Sequence, residues 1–265
     1  MTTETSEEHL LVVDGLNVVR RVYEANPAPD SPEKAQSAVR KSVASFRRAL
    51  EEHRPTHVLA PFDYGGPTWR HELYPQYRQK RAPMPQELRE VLPDIYEELH
   101  TLGIPTIRVP GVEADDVIAT VNYRWLETKA GPVTNVSTDK DIAWLASLSK
   151  RVRIRDHFKP EWRDDAWVAK KFGVPFALLH DLLALMGDSS DDVPGVPGIA
   201  VVKGAKLLNQ YGNLDELLKH ADEVPGKMGD NLRANIELVH LARKLVAFKT
   251  DLSLGLTWKT LRYNT

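Results

Sequence analysis

Three short stretches of this sequence bring carboxylates close together. They read "GVEADDVIAT" from residue 111, "VSTDKDIAWL" from residue 136 and "MGDSSDDVPG" from residue 186. Their acidic residues are Glu113, Asp115, Asp116, Asp139, Asp141, Asp188, Asp191 and Asp192. Because like charges at this spacing repel each other, a cation is expected to neutralise them unless they are simply solvated.

The distribution of charge favours a metal site. The chain carries 35 Lys and Arg against 37 Asp and Glu, a formal net charge of −2. The three stretches, together with Asp14 and Asp63, hold ten of the 37 carboxylates, and without these ten the chain has a formal charge of +8. A basic surface attracts an anionic polymer or substrate, whereas a concentrated acidic site repels it. Divalent metal ions between the two resolve the conflict.

Composition excludes several other kinds of chemistry. The chain has 265 residues, of which 42% are hydrophobic, and this is enough for a sizeable core. It has no Cys, which excludes disulfides, thiolate metal ligands and cysteine nucleophiles. No apolar run approaches the roughly 18 residues of a membrane span, and the first residues are polar and acidic. These features predict a cytoplasmic protein without a membrane partner.

The order of predicted elements indicates an α/β fold. Short β-branched runs predict strands at 9–14, 56–63, 106–110, 133–138 and 152–156. Apolar residues three and four positions apart predict helices near 33–53, 86–102, 113–129 and 141–147. Such alternation is typical of a mostly parallel sheet flanked by helices.

Several acidic residues follow these strands directly. Asp14 and Asp63 end two of them, and Asp139 and Glu113 come just after two others. In open parallel sheets the ligand binds beyond the carboxyl ends of the strands. Each residue alone also suits a turn or a helix N-cap. Four strands that deliver carboxylates to one edge nevertheless favour a common site.

The C-terminal part of the chain has a different pattern. It predicts helices alone, at 164–172, 176–187, 200–210, 213–220 and 230–249. Residues 200–265 hold ten Lys and Arg against seven Asp and Glu, whereas residues 1–199 sum to −5. We therefore predict a core domain at 1–165 and a basic helical domain at 166–265.

A long connection at about 64–93 carries a further signal. It is rich in Pro, lacks strong periodicity and alternates cations with aromatic residues, namely Arg70, Arg78, Lys80 and Arg81 with Trp69, Tyr74 and Tyr77. Such a mixture suits single-stranded nucleic acid, because cations contact phosphates and aromatic rings stack on bases. The alternative is a solvated loop whose aromatic side chains pack back on the core.

At these residues the sequence resembles a known family. The motifs "LVVDGLN", "FD", "GVEADDVIAT", "STDKD" and "GDSSDDVPGVPGI" are similar, in order and spacing, to those of bacterial and phage 5′-nucleases, or flap endonucleases, including the 5′-nuclease domain of DNA polymerase I. The segments "WRHELYPQYRQKRAPMP" and "RIRDHF" look most similar to small, free-standing exonuclease IX-like members. The resemblance covers residues 9 to 250 and implies a PIN-like core with an arch at 64–93.

The resemblance implies a metal-dependent nuclease. Two or more Mg²⁺ ions, with Mn²⁺ as a substitute, would be held by Asp14, Asp63, Glu113, Asp115, Asp116, Asp139, Asp141, Asp188 and Asp191. Family members cut branched or flap DNA, or free 5′ ends, and leave a 5′-phosphate and a 3′-hydroxyl. The implied partner is DNA with junctions between single strand and duplex, and we expect a monomer.

The resemblance also assigns residues 195–208 to a helix-hairpin-helix (H3TH) that grips the duplex backbone and holds K⁺ in the family. Here Gly195, Gly198, Lys203 and Lys206 would contact DNA. The sequence departs from the family pattern at Ala200, which replaces a Gly, and at Val202, which stands where the family has Lys.

Further cations match the catalytic positions of the family. Tyr77, Arg78 and Arg81 fall on its Tyr-Lys-x-x-Arg pattern, so Arg78 replaces the catalytic lysine and Lys80 follows two residues later. Arg21 matches an arginine that meets the substrate phosphate, although a surface cation is an equal alternative. We predict catalytic roles for Arg21, Arg78, Lys80 and Arg81, and DNA contacts for Arg70 and Tyr77.

Other functions compete with this hypothesis. A PIN-type ribonuclease would use a similar carboxylate cluster, but such enzymes are usually shorter and lack the basic helical end. A DNA-junction binding protein with weak catalysis would gain nothing from so many mutually repelling carboxylates. A magnesium-dependent phosphatase would need a D-x-D-x-T motif after the first strand, which the sequence lacks.

Overall fold

The computed structural model describes residues 8–264, and its strands form a six-stranded sheet in the order β3-β2-β1-β4-β5-β6. The strands are β1 (Leu10–Val13), β2 (His57–Pro61), β3 (Thr106–Ile107), β4 (Val133–Val136), β5 (Val152–Asp156) and β6 (Glu161–Trp162). Neighbouring strands are parallel, except that β6 runs antiparallel to β5. The predicted mostly parallel sheet is therefore confirmed, and β6 is an addition.

Helices cover both faces of the sheet. The α-helices of the described residues are α1 (Gly15–Glu24), α2 (Pro32–His53), α3 (Trp69–Leu73), α4 (Gln86–Glu90), α5 (Leu92–Thr101), α6 (Ala114–Thr128), α7 (Asp165–Phe172), α8 (Leu179–Met186), α9 (Val201–Tyr211), α10 (Leu214–Lys219), α11 (Gly226–Ala234) and α12 (Ile236–Val246). Short 3₁₀ helices lie at Asp141–Ser147, Phe176–Leu178 and Ala221–Glu223. No helix among residues 8–264 is long and apolar enough to cross a membrane.

Strand β1 shows why the sequence folds into layers. Its four residues are all buried, and alternate side chains point to opposite faces of the sheet. Leu11 and Val13 join a core with α1, α2 and α5, while Leu10 and Val12 join a second core with α6 and the C-terminal segment. A strand covered on both faces reads as a continuous apolar run, as "LLVV" does.

Several predicted elements differ from the structure. The strand expected at 106–110 is limited to Thr106–Ile107, the helix expected at 141–147 is a 3₁₀ helix, and that at 176–187 begins with a 3₁₀ turn at Phe176–Leu178. The helix expected at 86–102 is divided into α4 and α5, because Pro93 lacks an amide hydrogen and its ring clashes with the preceding turn. The helix expected at 230–249 is divided at Asn235 into α11 and α12. Helix α1 was not predicted, and the segment 64–93 is partly helical, since it contains α3 and α4.

The C-terminal helices pack around a core of their own. Helix α8 is buried and packs against both α9 and α12. Tyr77 and Ala143 also belong to this core, so it is continuous with the segment 64–93 and with the 3₁₀ helix after β4. This contact places the loop after α8 at the carboxyl edge of the sheet.

Candidate metal centre and active site

Four aspartates line an open cavity of about 260 Å³ at the carboxyl edge of the sheet. Asp14 follows β1, Asp63 follows β2, Asp139 follows β4, and Asp115 lies in the first turn of α6. We call these four residues the first cluster. Their convergence follows from the strand order, because β1 lies between β2 and β4.

Local hydrogen bonds fix the first cluster. Asp14 caps α1, with Oδ1 accepting from the Asn17 amide at 3.2 Å and Oδ2 accepting from the Ser137 hydroxyl at 2.8 Å. Asp63 Oδ1 accepts from the Ala114 amide at 2.8 Å. The capping interpretation and the ligand interpretation are thus compatible, since a carboxylate has two oxygens and about four acceptor sites.

Burial and mutual repulsion raise the pKa of two carboxyl groups in the first cluster. Burial raises the pKa of Asp14 to about 7. The hydrogen bond from Ser137 opposes this rise, whereas the charges of Asp63 and Asp139 add to it. Burial also raises the pKa of Asp115 well above its usual range, with the charge of Asp139 as the next cause. A bound cation reverses both effects, so these side chains suit a divalent ion.

A second cluster consists of Asp141, Asp188 and Asp191, whose ligand atoms lie within 4.8 Å of one another. Burial and the neighbouring Asp139 raise the pKa of Asp141 to about 8. Asp141 Oδ1 is buried and accepts no well-oriented hydrogen bond among the described residues, although Lys140 Nζ lies 3.3 Å from it. Its donor set, carboxylate oxygen alone, suits the same class of hard cation.

A tight turn presents the second cluster. Gly187 has φ 76°, and a Cβ there would lie 2.6 Å from the amide nitrogen of Gly195. A Cβ on Gly195 would in turn lie 2.2 Å from the carbonyl of Met186. The two glycines allow backbone to pack on backbone, and the Asp188 amide donates to the Val193 carbonyl at 2.9 Å. The structure therefore gives Gly195, which is half-buried, a role in the packing of this turn.

Lys140 and Arg78 make the closest cation contacts to the second cluster. Lys140 Nζ lies 2.6 Å from Asp188 Oδ2 and 3.3 Å from Asp141 Oδ1. Arg78 Nε and Nη2 donate to the two oxygens of Asp191 at 2.8 and 2.9 Å, and the backbone at Arg78 is left-handed, with φ 53°. Although burial opposes the effect, these bonds lower the pKa of Asp191. Sequence reasoning missed Lys140, even though it stands between two predicted ligands in "TDKD".

Glu113 lies between the two clusters at a buried position. Its Oε2 is 3.0 Å from Arg78 Nη1 and accepts from the Tyr77 hydroxyl at 3.1 Å. Burial raises the pKa of Glu113, while the charges of Arg78 and Arg70 oppose the rise. The same hydroxyl lies 3.2 Å from Asp191 Oδ2, so its single hydrogen is shared between the two carboxylates, and Tyr77 is only 3% exposed. Its ring is therefore not available for stacking on a base, which is the DNA contact that the composition of the segment 64–93 suggested.

The structure places Asp116 and Arg70 away from their predicted roles. Asp116 is fully buried, and its oxygens accept from Arg70 Nη1 and Nη2 at 2.9 and 3.0 Å and from the Lys249 amide at 3.0 Å. Arg70 is 2% exposed and also donates to the carbonyls of Leu245 and Ala247, each at 2.8 Å. In this arrangement the pair is structural, because Asp116 has no free edge for a metal and Arg70 cannot reach DNA.

The other predicted cations lie at or near the mouth of the cavity. Arg21 and Arg81 line it beside the first cluster, together with Arg20, which was not predicted. Arg81 Nη1 is 3.9 Å from Asp191 Oδ1. The Lys80 side chain is 88% exposed and lies 3.4 Å from Asp192. Arg21 and Arg81 are thus placed to meet an anion at the first cluster, whereas Lys80 is placed farther out.

The predicted hairpin ends in α9. Gly198 precedes this helix with φ 82°, and its carbonyl accepts from Lys203 Nζ at 3.0 Å. Lys206 is exposed, and Val202 is 78% exposed on the first turn. The surface therefore presents cations and an apolar side chain around the helix N-terminus.

Comparison with known proteins agrees with this geometry. The 5′-3′ exonuclease N-terminal resolvase-like domain matches residues 9–173, and the 5′-3′ exonuclease C-terminal SAM fold matches residues 174–265. Similar proteins include the flap endonuclease Xni of Vibrio cholerae, 36% identical over 97% of both chains, and that of Photorhabdus laumondii, 37% identical over 93% of this chain and 94% of the other.

Solved structures show the same fold. A lysine-to-alanine mutant of the T5 5′-exonuclease has a TM-score of 0.74 at 25% identity and covers 92% of this chain and 89% of its own. The T5 5′-exonuclease with bound zinc has a TM-score of 0.78 at 24% identity and covers 92% and 90%. By its domain matches and by its similarity to these relatives, this chain belongs to the 5′-3′ exonuclease family.

Proposed function

We propose that this protein is a Mg²⁺-dependent, structure-specific 5′-nuclease that hydrolyses branched or flap DNA and free 5′ ends. The observation that carries the proposal is the first cluster, in which four carboxylates converge beside Arg21 and Arg81. A carboxylate cavity edged by guanidinium groups suits a phosphodiester bridged to the protein by divalent ions. The similarity to flap endonucleases supports DNA as the polymer.

The donor set fits Mg²⁺, because the two clusters offer carboxylate oxygen and neither sulfur nor imidazole, and Mn²⁺ would substitute. Divalent ions bound there supply Lewis-acid activation of water and of the scissile phosphate. The first cluster would hold one ion, and the second cluster with Glu113 would hold another. Water adds to phosphorus and the bond to the 3′ oxygen breaks, which gives a 5′-phosphate and a 3′-hydroxyl.

The cations in and near the cavity would position the substrate and balance charge. Arg21 and Arg81 would orient the non-bridging oxygens of the phosphate, since guanidinium groups bind phosphate bidentately. Arg78 neutralises Asp191 and Glu113, so it would act mainly through these carboxylates. Lys80 would guide the strand toward the cavity from its exposed position.

The helical end would hold the duplex without reading its sequence. Lys203 and Lys206 flank the exposed amide groups at the N-terminus of α9, where a phosphate is favoured. A K⁺ ion at this hairpin would compete with Lys203 for the Gly198 carbonyl. One chain carries both clusters and this surface, so we expect it to act as a monomer. Because DNA is the proposed substrate, we expect it to act in the cytoplasm.

Cleavage of end-labelled substrates tests the proposed function. Flap, nicked, blunt and single-stranded DNA, and the same strands as RNA, would be incubated with Mg²⁺ or with EDTA. We expect Mg²⁺-dependent cleavage of the branched DNA, with a 5′-phosphate on the product. Cleavage of RNA alone would favour a PIN-type ribonuclease, and tight junction binding without cleavage would favour a binding protein.

A further inference from the structure

The two carboxylate clusters differ in how their charge is balanced. Across residues 8–264, no Lys or Arg nitrogen lies within 4.0 Å of the first cluster, whereas the second cluster has ion pairs with Lys140, Arg78 and Arg81. The first cluster is therefore open to an external cation. The second cluster already holds cations that belong to the protein.

Lys140 occupies the second cluster most directly. Its Nζ bridges Asp188 and Asp141, two of the three residues whose oxygens lie within 4.8 Å of one another, and also lies 3.4 Å from the Ser190 hydroxyl. The Lys140 side chain is largely buried. Its charge therefore lies where a divalent ion bound by Asp141 and Asp188 would have to lie.

The two positions exclude each other on distance and on charge. Mg²⁺ lies about 2.1 Å from its oxygen ligands, so an ammonium group that contacts the same oxygens at 2.6 and 3.3 Å would meet it almost directly. Repulsion between the two cations would be strong at this depth. A lysine is nevertheless able to leave, because its compact charge is carried on a flexible stem.

We propose that Lys140 is the resident cation of the second cluster and that a divalent ion binds there only by displacing its ammonium group from Asp188 and Asp141. This inference rests on the metal binding in the proposed function. It predicts an order: the first cluster fills at low metal concentration, and the second fills at higher concentration as Lys140 leaves. Lys140 would thus be a positioning residue that sets the affinity for the second ion.

Metal titration of matched variants tests this order. Metal-free protein at pH 8 would be titrated calorimetrically with Mn²⁺, comparing the parent chain with Lys140→Met, Lys140→Gln and Lys80→Met. We expect the weaker class of sites to bind about tenfold more tightly, or to become detectable, in both Lys140 variants, while the tighter class changes less than threefold. Lys80→Met removes the same charge near the site but outside the cluster, so it should leave both classes nearly unchanged.

Equal tightening in Lys80→Met would show a general charge effect and would overturn the inference. A second class that is unchanged or weaker in both Lys140 variants would also overturn it, although the first class would still support the metal centre. Absence of any Mn²⁺ binding in all four proteins would refute the metal centre of the proposed function, and the inference with it. Circular dichroism would confirm that each variant is folded.

A measurement on the parent chain removes the dependence on variants. Reductive methylation with ¹³C-formaldehyde would label accessible lysines in metal-free protein and in protein saturated with Mg²⁺, with sites identified by peptide mass. Lys140 should be protected without metal and labelled at least several-fold more with metal, whereas Lys203 should differ little. Equal labelling of Lys140 in both states would mean that its ammonium group does not leave the cluster.

Discussion

Removal of the Arg70 guanidinium group should destabilise the protein strongly, because it leaves the buried Asp116 without its ion pair and removes a cation 3.4 Å from Glu113. Arg70 connects three distant parts of the chain: α3, the first turn of α6 through Asp116, and the end of α12 through the carbonyls of Leu245 and Ala247. The prediction separates a structural role from the DNA contact that the sequence suggested. The change we consider is Arg70→Met, which retains much of the apolar stem.

The magnitude follows from what the substitution leaves behind. The Asp116 charge would remain fully buried with the indole of Trp69 and two backbone amides as donors, and two carbonyls would lose their partner. Breaking a buried ion pair by removing one partner costs about 3–5 kcal/mol. For a chain of this size, that corresponds to a fall in melting temperature of roughly 6–20 °C.

Urea unfolding of the metal-free protein would measure the loss, with Arg81→Met as the charge-matched control at a partly exposed site. Arg81→Met should change stability by less than about 0.5 kcal/mol, as surface substitutions usually do. The double variant Arg70→Met with Asp116→Leu should lose less than the sum of the single losses, because it no longer buries an unpaired charge. An Arg70→Met protein within 1 kcal/mol of the parent would refute the argument.

Three further predictions concern catalysis, DNA binding and acid stability. Asp115→Asn and Asp139→Asn should each lower single-turnover cleavage about a hundredfold or more and leave binding of DNA equal or tighter, because less negative charge faces the phosphate; binding lost in parallel would mark them as structural. Lys203→Ala with Lys206→Ala should make the slope of log affinity against log salt shallower by about 2, and an unchanged slope would move duplex binding elsewhere. Burial lowers the pKa of His53 from 6.5 to about 4. Between these pH values the unfolded chain binds a proton at His53 and the folded chain does not, so stability that is present above pH 6.5 is lost as the pH falls to 4. After allowance for solvent screening the loss is roughly 1–3 kcal/mol, and urea unfolding at several pH values should show it reduced in His53→Gln.

The sheet and the first cluster were predictable because they follow from local patterns. Apolar β-branched runs mark the buried strands, and a carboxylate directly after each strand must lie at the same edge. Asp14, Asp63 and Asp139 needed nothing more than this rule. Helix boundaries were less accurate where a single Pro or Asn ended one helix and started the next.

The roles of Arg70, Tyr77 and Asp116 depend on contacts that no local pattern contains. The segment 64–93 has the composition of a nucleic-acid binding loop, yet α3 turns Arg70 inward, toward a carboxylate 46 residues away. The neighbouring Tyr77 is likewise enclosed by Glu113 and Asp191. Cations and aromatic residues in this segment can either contact nucleic acid or support the fold. Burial decides between these two roles, and the sequence does not show burial.

Acidic residues have the same ambiguity, because an Asp can cap a helix or face a cation site. In this structure one residue does the first and is placed for the second. Asp14 caps α1 and faces the cavity, because one oxygen accepts from a backbone amide while the carboxylate keeps other acceptor sites. Asp116, which lies in another motif of the same family, is saturated by donors and has no such site left. The number of donors already bound, and not the residue type, separates a metal ligand from a structural carboxylate. By this measure the first cluster is the more available of the two, since the second must first release Lys140.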